Sequence, residues 1–314
     1  MARSHPPTLI TLVHRTLKEE CRLAKEERIL VAVSGGGDST ALLHVLSLLR
    51  ERLGVSVVAH GVDHGLRAEA GRELDLAAEL AERWGVPFTR TDLSVAPGGN
   101  LQARAREVRH EALREAMRMT GATRLATAHH ADDRAETVLL RLLHGGSPAG
   151  LAVLPAMDGA SIRPMLRARK SDVVKHLRRH DIPFSEDPSN QDRRFMRVRV
   201  RLEVMPLLEE LSPAIVSHLA SLADELGAEP LPDLMDAEGK AVPLNRAQTT
   251  ALRRAKSLGR GTRILLSENR EIVFEPKAYE VRVDATPDSR NETLKARRRP
   301  PLWKKGGAKS GKSG

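Results

Sequence analysis

The sequence is short of cysteine, of aromatic residues and of long apolar runs, and each shortage narrows what the chain can be. A single cysteine, Cys21, rules out an internal disulfide framework and leaves no thiolate cluster for zinc or an iron–sulfur centre; a cytoplasmic location is the expectation. Aromatic residues make up 2% of the chain, too few for broad base stacking to be the main way of holding a nucleic acid. No apolar run approaches the roughly 20 residues that span a bilayer. The opening "MARSHPPTLITLVHRTLKEE" is interrupted by Lys18, Glu19 and Glu20, so neither a leader nor a membrane partner is expected.

What is plentiful is positive charge. The net charge is +10 and the isoelectric point about 10.1, which points to a polyanionic partner, but the distribution matters more than the sum. Residues 295–314 carry eight Lys and Arg with no acid, in a Gly, Ser, Pro and Lys background that cannot bury a core. A disordered basic tail over 291–314 is expected. The strongest basic patch in the body runs from Arg163 to Arg201, with twelve basic residues against five acids.

From residue 28 onward, strand-like apolar runs alternate with helical periodicity. "RILVAV", "VSVVAH", "PFTRTDL" and "RLATAH" are each followed by an amphipathic stretch, the pattern of a doubly wound, mainly parallel α/β sheet. Ligands of such sheets bind beyond the C-terminal strand ends, where "SGGGDS", "VDHGLR" and "HHADD" all fall. A helix is expected from about Val204 to Leu226. "GAEPLPDLMD" then reads as a linker to a small α+β module of one helix and a hairpin. The expected division is 1–226, 227–290 and the tail.

A glycine-rich turn between strand and helix offers backbone N–H groups beside the positive end of the helix dipole, an anion site. Two common phosphate motifs do not fit. Thr40 stands where the dinucleotide fingerprint has its third glycine, and no lysine follows the loop as in a Walker A motif. Gly306–Ser313 in the tail matches the Walker spacing, but no strand-like run precedes it. The spacing that fits is S-G-G-x-D-S, Ser34 to Ser39.

That loop resembles the pyrophosphate loop of the ATP pyrophosphatase family, whose members cleave ATP between the α and β phosphates and pass AMP to an acceptor oxygen. Four further segments are similar to the tRNA(Ile)-lysidine synthetase branch of that family. They are "VDHGLR", "NLQARAREVRH", "AHHADDRAETVLLRLLHG" and "DPSNQDRRFMRVRVR". His110, Arg134 and Val198 depart from the branch pattern, which has tyrosine, glutamine and asparagine there.

The resemblance implies ATP and Mg2+ as cofactors, with Ser34, Gly35, Gly36, Gly37, Asp38, Ser39, Asp63 and His64 around the nucleotide. It implies Asp38, Arg106, Arg109, His129 and Asp133 in catalysis, with Asp38 and Asp132 near the metal. The partners would be free L-lysine, met by Asp132, Asp133 and Glu136, and tRNA(Ile) with a CAU anticodon, met by Arg167, Lys170, Arg194, Arg197, Arg199 and Arg201. The expected reaction, that of a carbon–nitrogen ligase, adenylates the C2 oxygen of the wobble cytidine and lets the lysine ε-amine displace AMP.

The residues themselves are compatible with this. Asp132, Asp133 and Glu136 stand at i,i+3 and i,i+4 spacings that converge on one rim, where they serve Mg2+, a substrate ammonium or the helix dipole. A guanidinium from Arg106 or Arg109 would stabilise charge developing at the α phosphate. The basic patch would contact tRNA phosphates and set register rather than base specificity. Two alternatives stay open at this point: a tRNA-thiolating relative, which the lone Cys21 disfavours, and a non-catalytic tRNA-binding relative.

Overall fold

A computed structural model of the protein describes residues 6–63, 70–93, 101–184, 191–228, 234, 242–259, 261–266, 270–275 and 280–285. The chain divides into two compact units, 1–228 and 229–314. Residues 291–314, where the sequence predicts a disordered tail, lie outside the described residues.

The first unit holds a six-stranded sheet of β1 (Arg28–Val33), β2 (Ser56–Asp63), β3 (Phe88–Asp92), β4 (Arg124–Ala126), β5 (Met157–Asp158) and β6 (Ser161–Ile162), in the order β3-β2-β1-β4-β6-β5. Every pairing is parallel except that of β5 with β6. Helices α1 (Leu9–Glu19), α2 (Gly37–Leu53), α3 (Ala70–Arg83), α4 (Leu101–Thr120), α5 (Ala131–Leu143) and α6 (Lys170–Arg179) fill the connections and cover the sheet. This is the doubly wound fold the alternation predicts.

β1 is apolar without interruption because both of its faces are covered. Ile29, Val31 and Val33 join the large core with α1, α2 and α6, whereas Leu30 and Ala32 point the other way, onto Leu113 and Ala116 of α4. Leu42, Leu43 and Leu46 of α2 are fully buried, each contributing roughly 1.5–3 kcal/mol. The direction of strand order reverses between β1 and β4, and their paired ends (Val31 opposite Ala126) therefore flank the crevice where such sheets bind ligands.

Two expectations need correcting. The single helix from Val204 to Leu226 is two, α8 (Met205–Leu211) and α9 (Ile215–Gly227), because Pro213 lacks the N–H that would continue the ladder. Ahead of α8 run α7 (Met196–Arg199) and a π-turn, Val200–Val204; Pro206, also without an N–H, stands in the first turn of α8. In the second unit, α10 (Arg246–Leu258) and the hairpin β7 (Thr262–Leu265) to β8 (Arg270–Glu275) are as expected, but β9 (Glu280–Ala285) adds a third strand. Most of the expected linker lies outside the described residues, and its Leu234 is buried in the core of this second unit.

Beneath the site, α2 and α6 meet through histidines. His44 Nδ1 and His176 Nε2 are 2.9 Å apart, and the His44 ring packs on Trp84 and His180. Burial pushes both His44 and His176 down to about 4, helped at His44 by the neighbouring His180 and at His176 first by His44 and then by His180. The unfolded chain therefore binds protons that the folded one refuses between about pH 6.5 and pH 4, so stability is full above that window and falls as pH drops through it. Urea unfolding at pH 7.5, 5.5 and 4.5 is expected to show a loss on the order of a few kcal/mol. The same series on a His44→Asn/His176→Gln variant should have a shallower slope; an equal slope contradicts this assignment.

Candidate active site

The loop after β1 carries three consecutive glycines, of which the first and third are needed for different reasons. Gly35 has φ +77°, and a Cβ there would lie 2.5 Å from the Glu73 carbonyl oxygen of α3. Gly37 faces Phe184 and Leu177, where a Cβ would come within 2.9 Å of the Phe184 ring. Gly36 is the N-cap of α2, with φ −74° and no side-chain capping bond, and a Cβ on it would meet only Ser34 Oγ at 3.6 Å. Ser39 Oγ donates to the Gly36 carbonyl (2.9 Å) and accepts from Ser34 N (3.2 Å). The loop is thus closed on itself at the start of a 17-residue helix, which leaves helix N–H groups for an anion.

Beyond β4, His130 caps α5 in a reciprocal box: Asp133 N donates to His130 Nδ1, and His130 N donates to Asp133 Oδ2 at 3.0 Å. Two cavities flank this point. The larger, of about 690 Å³, is lined by Ser34, Asp38 and Ser39 from the loop, Arg106 and Arg109 from α4, and Thr127, His129 and Arg163 among others. Its volume lies in the range of small-ligand sites. The smaller, of about 210 Å³, is lined by Asp38, His130, Asp132, Glu136, Lys170, Arg201, Met205, Pro206 and Glu209. Asp38 lines both.

The acids of the smaller cavity, and Asp133, which lines neither cavity, are each met by a cation of the same chain. Lys170 Nζ donates to Asp38 Oδ1 (2.6 Å), and Arg169 donates to Asp132 Oδ1 (2.9 and 3.0 Å) and to Glu209. Arg201 Nε donates to Glu136 Oε1 at 2.6 Å, Arg197 Nε donates to Glu136 Oε2 at 3.0 Å, and Arg197 Nη2 donates to Asp133 Oδ1 at 2.9 Å.

Adjacent histidines are driven apart. Burial takes His129 down to about 4, with its Nδ1 3.0 Å from Thr127 Oγ1. Burial also opposes charge on His130, but contact with Asp132 and the charges of Asp133 and Asp38 outweigh it and raise that imidazole above its ordinary value. Burial would raise the Asp132 and Asp133 carboxyls. His130 holds both below the usual range, joined by Arg169 at Asp132 and by Arg197 at Asp133.

The structure brings together most of the residues singled out from sequence, but not all. Asp63, expected near the nucleotide, is not among the residues lining either cavity; its Oδ2 accepts from Arg90 Nη2 at 2.9 Å. His64 lies outside the described residues. Of the arginines expected to face tRNA, Arg167 is engaged internally, donating to Glu20 (2.6 Å) and to Asp224 (2.6 Å). Arg194 pairs with Asp192 and Arg199 with Glu203. Glu209 and Arg169 escape a sequence reading because their significance lies in contacts 37 and 40 residues away in the chain.

The departures from the branch pattern also find their places. Val198 is buried, packed inward rather than presented to a ligand. Arg134 is buried on α5, where its Nε donates to the Val153 carbonyl (3.0 Å) and its Nη1 to Asp224 Oδ1 (2.6 Å). Asp224 thereby bridges Arg134 and Arg167. Removing it strands a buried guanidinium, which costs about 3–5 kcal/mol when both partners are enclosed. Asp224 is 39% exposed, so Asp224→Ala is expected to lose about 2 kcal/mol in urea unfolding. An unchanged midpoint contradicts the bridging role. Cys21, fully buried with its thiol pushed up to about 12 by that burial, is an inert packing residue.

Among the described residues no helix is long and apolar enough to cross a membrane. Comparison with known proteins agrees with the geometry. A tRNA(Ile)-lysidine synthase of Thermus thermophilus is 40% identical over 242 residues, covering 76% of this chain and 46% of that protein. One from Thermotoga maritima is 33% identical over 198 residues, covering 62% and 48%. The chain thus spans about half the length of the curated relatives it matches. The structure of a U34-tRNA thiolase from Methanococcus maripaludis superposes with a TM-score of 0.58 at 18% identity, over 70% of this chain and 80% of that one, which shows the shared fold. The PP-loop domain model matches residues 9–208, a span that contains the glycine loop, the histidine pair, the larger cavity and all of the smaller one but Glu209, and the chain belongs to the PP-loop domain family.

Proposed function

We propose that this chain carries tRNA(Ile)-lysidine synthetase chemistry, as a carbon–nitrogen ligase using ATP, free L-lysine and a tRNA(Ile) with a CAU anticodon. The observation that carries the reading is the pair of cavities meeting at Asp38: one is lined by the loop serines with Arg106 and Arg109, a lining that suits a nucleotide phosphate, and the other holds four carboxylates in a volume that suits an aliphatic amine.

In this reading the loop of Ser34, Gly35, Gly36, Gly37 and Ser39 holds the departing β and γ phosphates through backbone N–H groups at the α2 terminus. The C2 oxygen of the wobble cytidine attacks the α phosphorus, and pyrophosphate leaves. Arg106 and Arg109, lining the same cavity, stabilise the added charge on the α phosphate oxygens. The ε-amine then attacks C2 and AMP leaves, a far better leaving group than an unactivated carbonyl oxygen. Asp132, Asp133 and Glu136 hold the lysine, and neutral His129 accepts a hydrogen bond beside the reacting atoms.

No group of three ligating side chains suited to a metal occurs among the described residues. Asp38 and Asp132, which both line the smaller cavity, would hold Mg2+ in exchange for Lys170 and Arg169, with phosphate and water completing its shell; there it would screen the triphosphate charge. A cytoplasmic setting goes with this reading.

Product analysis tests it. Incubation with ATP, L-lysine and the tRNA is expected to yield AMP and pyrophosphate in equal amounts, with neither formed when the tRNA is omitted. ADP and inorganic phosphate as products contradict it, as does tRNA-independent turnover.

A further inference from the structure

The acidic cavity holds carboxylates that are already neutralised. Glu136 is buried, its side chain 3% exposed, and it accepts three bonds from two guanidinium groups: Arg201 Nε at 2.6 Å, Arg201 Nη2 at 3.0 Å and Arg197 Nε at 3.0 Å. A substrate ammonium needs acceptor oxygens of that kind, so either it displaces a guanidinium or it finds no full partner. Displacement with nothing to receive the guanidinium is unfavourable, because the arginine would exchange a buried carboxylate for water. Displacement onto a phosphate is different. A guanidinium fork matches phosphate oxygens as well as it matches a carboxylate, and the ammonium then takes over at Glu136, so no charge is left without a partner.

The two arginines are placed for such an exchange. Their side chains are 42% and 35% exposed, so each reaches from the buried acid to the surface. They lie four residues apart, on either side of the start of the π-turn Val200–Val204; wide turns of this kind recur at functional sites. Arg201 also lines the smaller cavity, which abuts the phosphate loop at Asp38.

We propose that Arg197 and Arg201 are resident counter-ions of the amine site, released by the phosphate of a co-substrate, so that lysine and that phosphate bind more tightly together than apart. This rests on the reading of the acidic cavity as the lysine site. The phosphate comes from either the nucleotide triphosphate or the tRNA backbone. Because coupling is reciprocal, lysine strengthens the binding of the phosphate ligand by the same factor.

The test is calorimetric titration of L-lysine into the full chain in three arms: protein alone, protein with Mg2+ and a non-cleavable α,β-methylene ATP analogue, and protein with unmodified tRNA(Ile). The expected result is a lysine Kd lower by about tenfold or more in at least one phosphate arm, with the responsive arm naming the source. Equal affinity in all three arms overturns the exchange while leaving the lysine site itself standing. Absence of lysine binding in every arm overturns both. Arg201→Gln is expected to bind lysine more tightly than wild type when no phosphate is present and to show a smaller gain on adding it. A variant that folds and binds lysine no better than wild type also overturns the proposal, and if it does not fold the wild-type arms decide.

Discussion

Glu136→Gln is expected to lower kcat/KM for lysine by about a hundredfold, equivalent to about 2.7 kcal/mol. The magnitude follows from the burial of Glu136: truncating or neutralising one partner of an enclosed, hydrogen-bonded charge pair typically costs about 2–5 kcal/mol in binding. Glutamine keeps the shape and one acceptor oxygen, but it places an N–H donor against two guanidinium groups that need acceptors. The ammonium of lysine meets the same mismatch. The nucleotide cavity, which does not include Glu136 among its lining residues, should retain its affinity for the ATP analogue. Steady-state kinetics in lysine, paired with calorimetry of the analogue, measures both. Lysine kinetics within about threefold of wild type remove Glu136 from the amine site, and a parallel loss of analogue binding shows a general structural defect instead.

The second large effect separates three neighbouring glycines. Gly35→Ala places a methyl group 2.5 Å from the Glu73 carbonyl oxygen in a residue whose φ is +77°. The left-handed backbone alone costs about 1–2 kcal/mol in an L-residue. The clash is with helix backbone and so cannot be relieved by a rotamer change. The loop must move off α3, and the N–H groups at the start of α2, which are proposed to hold the phosphates, move with it. A loss of ATP-analogue affinity of about a hundredfold is expected. Gly36→Ala has an ordinary φ and only a 3.6 Å contact, so its affinity should stay within a few-fold of wild type. Gly37→Ala puts a methyl group 2.9 Å from the Phe184 ring, a side chain that must shift but can, and should fall between the two. Equal affinities across the series contradict the argument that this loop is held against α3 for phosphate binding.

How much of this was legible in the sequence depends on the range of the interaction. The phosphate loop, the alternation of strands and helices, and the convergence of Asp132 and Glu136 are local, set by backbone periods and capping. They are readable from residues 28–145. The identity of each arginine's partner is not. Arg167 in the basic patch looks like its exposed neighbours, yet it is tied to Glu20 and Asp224, which lie 147 and 57 residues away. Arg197 and Arg201 read as a tRNA surface, and the acids as a metal or lysine site. Only the folded chain reveals that these two sets of charges face one another. Asp63 illustrates the converse: its motif resembles a nucleotide contact, but in the fold it pairs with Arg90 on the adjacent strand. Pro213 was a visible helix breaker inside an apolar period that argued for continuity, and the missing N–H prevailed over the period.

The central claim is that the two cavities meeting at Asp38 join an activated tRNA base to an amine. The most direct measurement is mass spectrometry of nucleosides from tRNA(Ile) incubated with the protein, ATP and lysine labelled with nitrogen-15 at the ε position. The account predicts a labelled lysyl adduct at the wobble cytidine, with the label bonded to C2 and the adduct absent when ATP is withheld. An unmodified cytidine accompanied by full ATP turnover, or a label attached at any other nucleoside, contradicts it.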